Sequence, residues 1–225
     1  MSLDRPPLGL LLDMDGTLVD TEGLWFEAEQ AAVARWGGHL PDAAAASLLG
    51  LDTQALVAHL AAGYGAQASP GELLATIEAE VGGRLASTPA CGGAGALVEA
   101  ALRHGVRCAV VSNSTAAVIE ASLAPHPWAV ALTLRIGADA VRHPKPAPDL
   151  YALALARLGV GAVDCIAVED SPTGVRAAVA AGLTCLGVAA DFGARATLHA
   201  LTPHVVGSLD DARVWLALDA LPQPL

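Results

Sequence analysis

Apolar positions along this chain follow two rhythms. Short, largely apolar runs stand at 8–12, 107–111, 165–168 and 185–188, and the first three stop abruptly at polar residues. Such runs read as buried strands of a parallel sheet. Around them, apolar residues recur every three to four positions, which predicts helices over 94–104 and 116–123, one ending at 158 and one ending at 181. A segment at 130–136 reads as a further short strand, and a last strand–helix pair closes the chain. Regular strand–helix alternation implies an α/β fold, a Rossmann-like doubly wound parallel sheet with helices on both faces.

Residues 21–86 break that alternation. Helical spacing appears at 22–36, 41–49, 53–62 and 70–85, punctuated by Gly37-Gly38, Gly50 and Gly63 to Gly65, with no β-rich run. The expected organisation is an α/β core, residues 1–17 and 88–225, interrupted by an all-helical cap over 18–87.

Polar chemistry collects where strands end, the edge at which open α/β sheets bind ligands. The first run closes on DMDGT, placing Asp13 and Asp15 two residues apart before Gly16 and Thr17. The second closes on Ser112, Asn113, Ser114 and Thr115, at the start of a helix whose free N–H groups suit an anion. The run at 165–168 closes on Glu169 and Asp170, and Lys145 stands in a stiff loop between Pro144 and Pro146. Each feature has an everyday reading: an Asx turn, a helix N-cap, acids beside a helix dipole, a solvated surface lysine. Together, Asp13, Asp15, Glu169 and Asp170 would crowd four carboxylates into one cleft, a costly arrangement without cations. A divalent ion with Lys145 resolves it, and Mg²⁺ also accepts phosphate oxygens. An aspartate nucleophile, a second carboxylate, a metal and a lysine are the parts for phosphoryl transfer.

Composition narrows the partners. Formal net charge is −11 with only 12 Lys+Arg, which argues against nucleic acid or an anionic membrane surface. No apolar stretch reaches the roughly 18 residues of a membrane helix, and the N-terminus lacks a signal-peptide pattern. A soluble, cytoplasmic monomer acting on a small phosphorylated molecule is expected. Cys91, Cys108, Cys165 and Cys185 are scattered without a CxxC pair and read as reduced thiols.

DMDGTLVDTE, VSNS, KPAPDLY and VEDSPTG, in that order, resemble the four signature motifs of the haloacid dehalogenase superfamily. More narrowly, the chain resembles its sugar-phosphate phosphatases and β-phosphoglucomutases with a helical cap. The resemblance implies that Asp13 is the nucleophile and that Asp15 protonates the leaving alcohol and then activates water. It also implies that Ser112 and Lys145 bind the phosphate, with Asn113 beside them, and that Gly16 and Thr17 shape a loop whose backbone contacts it. Mg²⁺ would be held by Asp13, the Asp15 carbonyl and Asp170, with Glu169 in support.

Departures from the pattern point to one branch. Asp15 is missing from the dehalogenases and is alanine in the phosphonoacetaldehyde hydrolases. β-Phosphoglucomutases have a histidine where this chain has Trp25, and a cap arginine where GLDTQ (50–54) offers no cation. The expected activity is therefore a Mg²⁺-dependent phosphatase, with a β-phosphoglucomutase-like mutase as the alternative. A receiver-like phospho-aspartate module is a third reading, disfavoured by chain length and by the cap. Glu22 and Trp25 are the cap candidates for substrate contact, while Asp52, His59 and Tyr64 are unranked and His143 reads as loop surface.

Overall fold

The computed structural model describes residues 4–48, 51, 53–82 and 84–219. The chain divides into two compact units, Met1–Asp20 with Pro89–Leu225, and Thr21–Thr88.

The first unit opens with β1 (Gly9–Leu12), all four residues buried. The second unit follows, with α1 (Glu22–Arg35), α2 (Ala45–Leu48), α3 (Thr53–Gly63) and α4 (Pro70–Gly82). The chain then re-enters the first unit through α5 (Ala94–Arg103), β2 (Arg107–Val111), α6 (Ala116–Leu123) and β3 (Leu134–Ile136). Next come α7 (Asp149–Leu158), β4 (Cys165–Glu169), α8 (Pro172–Ala180) and β5 (Thr184–Val188), and last α9 (Phe192–His199), β6 (His204–Val206) and α10 (Leu209–Trp215).

The strands form one parallel sheet in the order β3-β2-β1-β4-β5-β6. Adjacent residues of β1 point to opposite faces, as the pleat requires. Leu10 and Leu12 join a core with Leu97, Ile119 and Trp215, from α5, α6 and α10. Leu11 joins the other core, with Tyr151, Val175 and Leu198, from α7, α8 and α9. This is the doubly wound α/β sheet that the alternation predicts. Strand order reverses direction at β1, so the crevice at its carboxyl end is the ligand position of the fold.

Two predicted elements differ. The apolar run at 130–136 is half turn, a 3₁₀ segment at Pro127–Ala131, and only Leu134–Ile136 is strand. Arg135 fixes the turn, donating to the Ala129 and Leu132 carbonyls at 2.9 Å. The helix expected over 41–49 is a 3₁₀ turn at Asp42–Ala44 running into α2, with Leu49 and Gly50 outside the described residues.

Within the helical unit, α4 packs on α1 and on α3. A capping box starts α4: Ser69 Oγ accepts the Glu72 N–H (3.3 Å), and the Ser69 N–H donates to Glu72 Oε2 (2.8 Å). All four cysteines are free thiols, Cys165 and Cys185 buried and the others half-buried. No helix among the described residues is long and apolar enough to cross a membrane.

Candidate active site

Asp13 directly follows β1, and its N–H still donates to the Val168 carbonyl on β4 (3.0 Å), so the sheet itself places it. The chain then turns sharply. Gly16 takes a positive φ of 77°, and a Cβ there would collide with Asp170 Oδ2. Glycine is required on both counts. The Gly16 N–H donates to Val19 O (2.8 Å) and the Thr17 N–H to Met14 O (3.3 Å). Both N–H groups are used inside the loop and shape it, as expected of these two residues.

The ammonium of Lys145 is the centre of the site. It is buried and donates to Asp13 Oδ1 (2.6 Å), Glu169 Oε1 (2.6 Å) and the Val111 carbonyl (2.8 Å). Three acceptors match its three donors. Burial works to lower its pKa, but the Asp13 and Glu169 carboxylates and their hydrogen bonds outweigh burial and hold the ammonium above the ordinary lysine range.

The Lys145 loop is clamped by Asn113. The Asn113 Oδ1 accepts the Lys145 N–H (2.8 Å), and its Nδ2 donates to the Lys145 carbonyl (3.0 Å). Asn113 thus uses its side-chain amide to position the lysine.

Glu169, at the end of β4, is completely buried. Its Oε1 also accepts the Tyr151 hydroxyl (2.6 Å), and its Oε2 accepts Ser171 Oγ (3.2 Å). A Cβ on Gly174 would overlap this carboxylate, so the glycine makes its space. Asp13, Glu169 and Asp170 each bring a carboxylate oxygen within 4.8 Å of the others. Burial, then Glu169, push the Asp13 carboxyl up to about 8 against the pull of Lys145; burial, then Asp13 and Glu169, raise Asp170 well above the usual carboxylate range. Three acids facing one ammonium leave a deficit of positive charge. Hard oxygen donors at this spacing fit a small divalent cation, which would relieve that deficit.

The Asp15 side chain lies outside this triplet. Its Oδ2 accepts two hydroxyls, Ser112 Oγ (3.0 Å) and Ser114 Oγ (2.9 Å). The anion site expected at the start of α6 is partly filled from within: Asp139 Oδ1 accepts the Ala116 N–H (2.9 Å).

The structure thus brings together Asp13, Asp15, Ser112, Asn113, Lys145, Glu169 and Asp170 at the carboxyl ends of β1, β2 and β4. It adds Tyr151, Ser171 and Asp139, which were not among the candidate site residues, and it turns Ser114, read as part of an anion site at a helix start, toward Asp15. Tyr151 carries a faint signal, a hydroxyl on an α7 face otherwise lined by Leu150 and Ala154. In the helical unit Trp25 is half-buried in the first turn of α1, and His59 meets Tyr64 edge-on, ring centroids 5.6 Å apart. Asp52 and the side chain of Glu22 lie outside the described residues. His143 is surface, 3.3 Å from Asp149.

Comparison with known proteins agrees with this geometry. The family described as haloacid dehalogenase-like hydrolase matches residues 10–188. The chain is 31% identical to the fructose-1-phosphate phosphatase YqaB of Escherichia coli over 186 residues, 80% of this chain and 95% of that one. It is 27% identical over 214 residues to the bifunctional riboflavin kinase/FMN phosphatase of Arabidopsis thaliana, covering 95% of this chain but spanning only 56% of that protein. The crystal structure of CbbY from Rhodobacter sphaeroides in complex with phosphate superposes with a TM-score of 0.82 at 26% identity, over 94% of this chain and 99% of that one.

Proposed function

Because the chain belongs to the haloacid dehalogenase-like hydrolases, we propose that it is a Mg²⁺-dependent phosphatase of a small phosphorylated metabolite, a sugar phosphate or related polyol phosphate, in the cytoplasm. One observation carries the reading: a buried aspartate, Asp13, held by a buried lysine at a strand end, with Glu169 and Asp170 alongside and Asp15 two residues away.

Asp13 attacks phosphorus through a carboxylate oxygen, the bond from phosphorus to the leaving oxygen breaks, and Asp15 supplies the proton that this oxygen takes up. Water then attacks the aspartyl-phosphate, Asp15 takes its proton, and Asp13 returns as a carboxylate. Lys145 neutralises charge on Asp13 and places a positive charge beside the phosphoryl group that Asp13 takes up, while Ser112 offers a hydroxyl from the end of β2. Asp13, Glu169 and Asp170, with the Asp15 carbonyl, are the groups that would hold Mg²⁺. When bound, the ion supplies charge neutralisation at the phosphoryl oxygens. The helical unit acts as the cap that covers the substrate and excludes water. The sugar-phosphate assignment is supported by the similarity to the fructose-1-phosphate phosphatase.

The test is inorganic phosphate release from a panel including fructose 1-phosphate, hexitol 6-phosphates and FMN, with and without Mg²⁺ and EDTA, and one arm with a hexose bisphosphate. Metal-dependent release on a few related alkyl phosphates is the expected result. Isomer interconversion that needs the bisphosphate, without net phosphate release, would overturn it in favour of a mutase.

A further inference from the structure

The Ser112 hydroxyl owns a single proton, and a hydroxyl can donate to only one acceptor at a time. In this structure that proton goes to Asp15 Oδ2 (3.0 Å), while the Ser112 oxygen accepts the Ser114 N–H (2.9 Å). Ser114 Oγ donates to the same Asp15 oxygen (2.9 Å). One carboxylate oxygen is therefore gripped by two hydroxyls from a single turn. If Ser112 also binds the phosphoryl group, its proton has two competing destinations.

We infer that Ser114 is a positioning residue for Asp15: when the Ser112 proton turns to a phosphoryl oxygen, the Ser114 hydroxyl still holds Asp15 Oδ2 and keeps it aimed at the leaving oxygen. The inference rests on the phosphatase reading above. Ser114 is suited to the task because its own backbone is anchored from two sides. Its N–H is held by Ser112, and its carbonyl accepts the Ala138 N–H (3.0 Å). Gly137 permits this close approach, since a Cβ there would press on the Ser114 carbonyl and the Ala116 nitrogen. The second of these anchors comes from the segment after β3, so it does not depend on which ligand Ser112 contacts. In contrast to Lys145 and Glu169, Ser114 touches neither Asp13 nor the carboxylate triplet in any of its hydrogen bonds.

Proton donation matters only when the departing oxygen needs a proton. An alkoxide does; p-nitrophenolate, a stable anion, leaves without one. The test therefore compares Ser114→Ala with wild type by rapid mixing with p-nitrophenyl phosphate and with the best alkyl phosphate of the panel above. Loss of one hydrogen bond to the acid is expected to slow first-turnover alcohol release from the alkyl phosphate about tenfold to a hundredfold, with KM changed less than about threefold. The p-nitrophenolate burst stays within about twofold of wild type, and Ser114→Thr, which keeps the hydroxyl, restores the alkyl rate. Equal loss on both probes would overturn the inference, because it marks a phosphate-binding or folding role. So would no loss on either. Failure of the phosphatase reading looks different: wild type releases phosphate from neither probe, or Asp13→Asn turns over like wild type, and the Ser114 role falls with it.

Discussion

Glu169 in the α/β unit and Glu29 in the helical unit are both buried acids, yet they stand in opposite surroundings. Glu169 is fully enclosed and accepts hydrogen bonds from Lys145, Tyr151 and Ser171. Glu29 is 6% exposed, on the stripe of α1 that buries Ala28, Ala32 and Val33, and burial is the one cause that shifts its carboxyl. Ion pairs divide the same way. Lys145 and Asp13 meet at 2.6 Å almost out of water, whereas Arg84 and Glu27 meet at 2.7 Å with side chains 44% and 65% exposed. Similar lengths carry different weight, since exposed pairs are screened and buried ones are not. The α/β unit gathers its buried charge in one connected network of Asp13, Lys145 and Glu169, and the helical unit buries Glu29 outside any such network.

The sharpest way to break that contrast is to remove the proposed nucleophile. Asp13→Asn keeps the shape and the neighbours of the side chain, so the fold should persist while turnover falls at least about 10³-fold. Phosphate release and circular dichroism on the same sample check it. Near wild-type turnover would remove Asp13 from the chemistry.

Lys145→Met comes next. It leaves Asp13 and Glu169 buried without their shared cation, which should cost about 3–5 kcal/mol of stability. Denaturant midpoints in metal-free buffer measure this, and an unchanged midpoint would show that the ammonium does not hold the network together. Tyr151→Phe is milder. It removes one hydroxyl from Glu169 Oε1 and keeps the ring that Lys145 lies over, Nζ 5.1 Å from its centroid. The expected loss is about 1–3 kcal/mol. Activity should fall less than with Lys145→Met, because the lysine retains all three acceptors.

The same contrast explains what the sequence disclosed. Buried strands are short and sharply bounded, so their polar ends stand out, and Asp13, Ser112, Glu169 and Asp170 are legible there, while Lys145 is marked only by the prolines on either side of it. Groups that act by reaching across the chain are not legible. Asp139 caps α6 from 23 residues away, and Tyr151 sits on a helix face whose periodicity reads only as core. Gly16 and Thr17 are legible as loop formers, and their N–H groups close that loop onto Val19 and Met14. The segment at 130–136 misleads because apolar content does not separate a 3₁₀ turn from a strand. In the helical unit alanine is so frequent that many faces look alike, and Glu29 gives no sign in the sequence of being buried.

Glu29 supplies the smallest and most specific effect. Burial alone pushes its carboxyl up from 4.5 to about 7. The folded protein therefore binds this proton more tightly than the unfolded chain does. Between those two values the unfolded state carries fewer protons, so stability falls as pH rises. The contribution is complete below about pH 4.5 and is lost as pH climbs through 7. Part of the group's environment is shared with water, which limits the effect to about 1–2 kcal/mol rather than the full value of the shift. Glu29→Gln cannot ionise and should remove this slope. Hydrogen exchange along α1 in the intact chain reads it locally. Wild-type protection should weaken between pH 5 and pH 8, after correction for the intrinsic exchange rate, while the glutamine variant holds level. An equal pH slope in both proteins would mean that Glu29 is ionised in the folded state throughout, with its charge satisfied by water. The isolated acid of the helical unit would then be solvated in solution, and its contrast with Glu169 would come down to exposure alone.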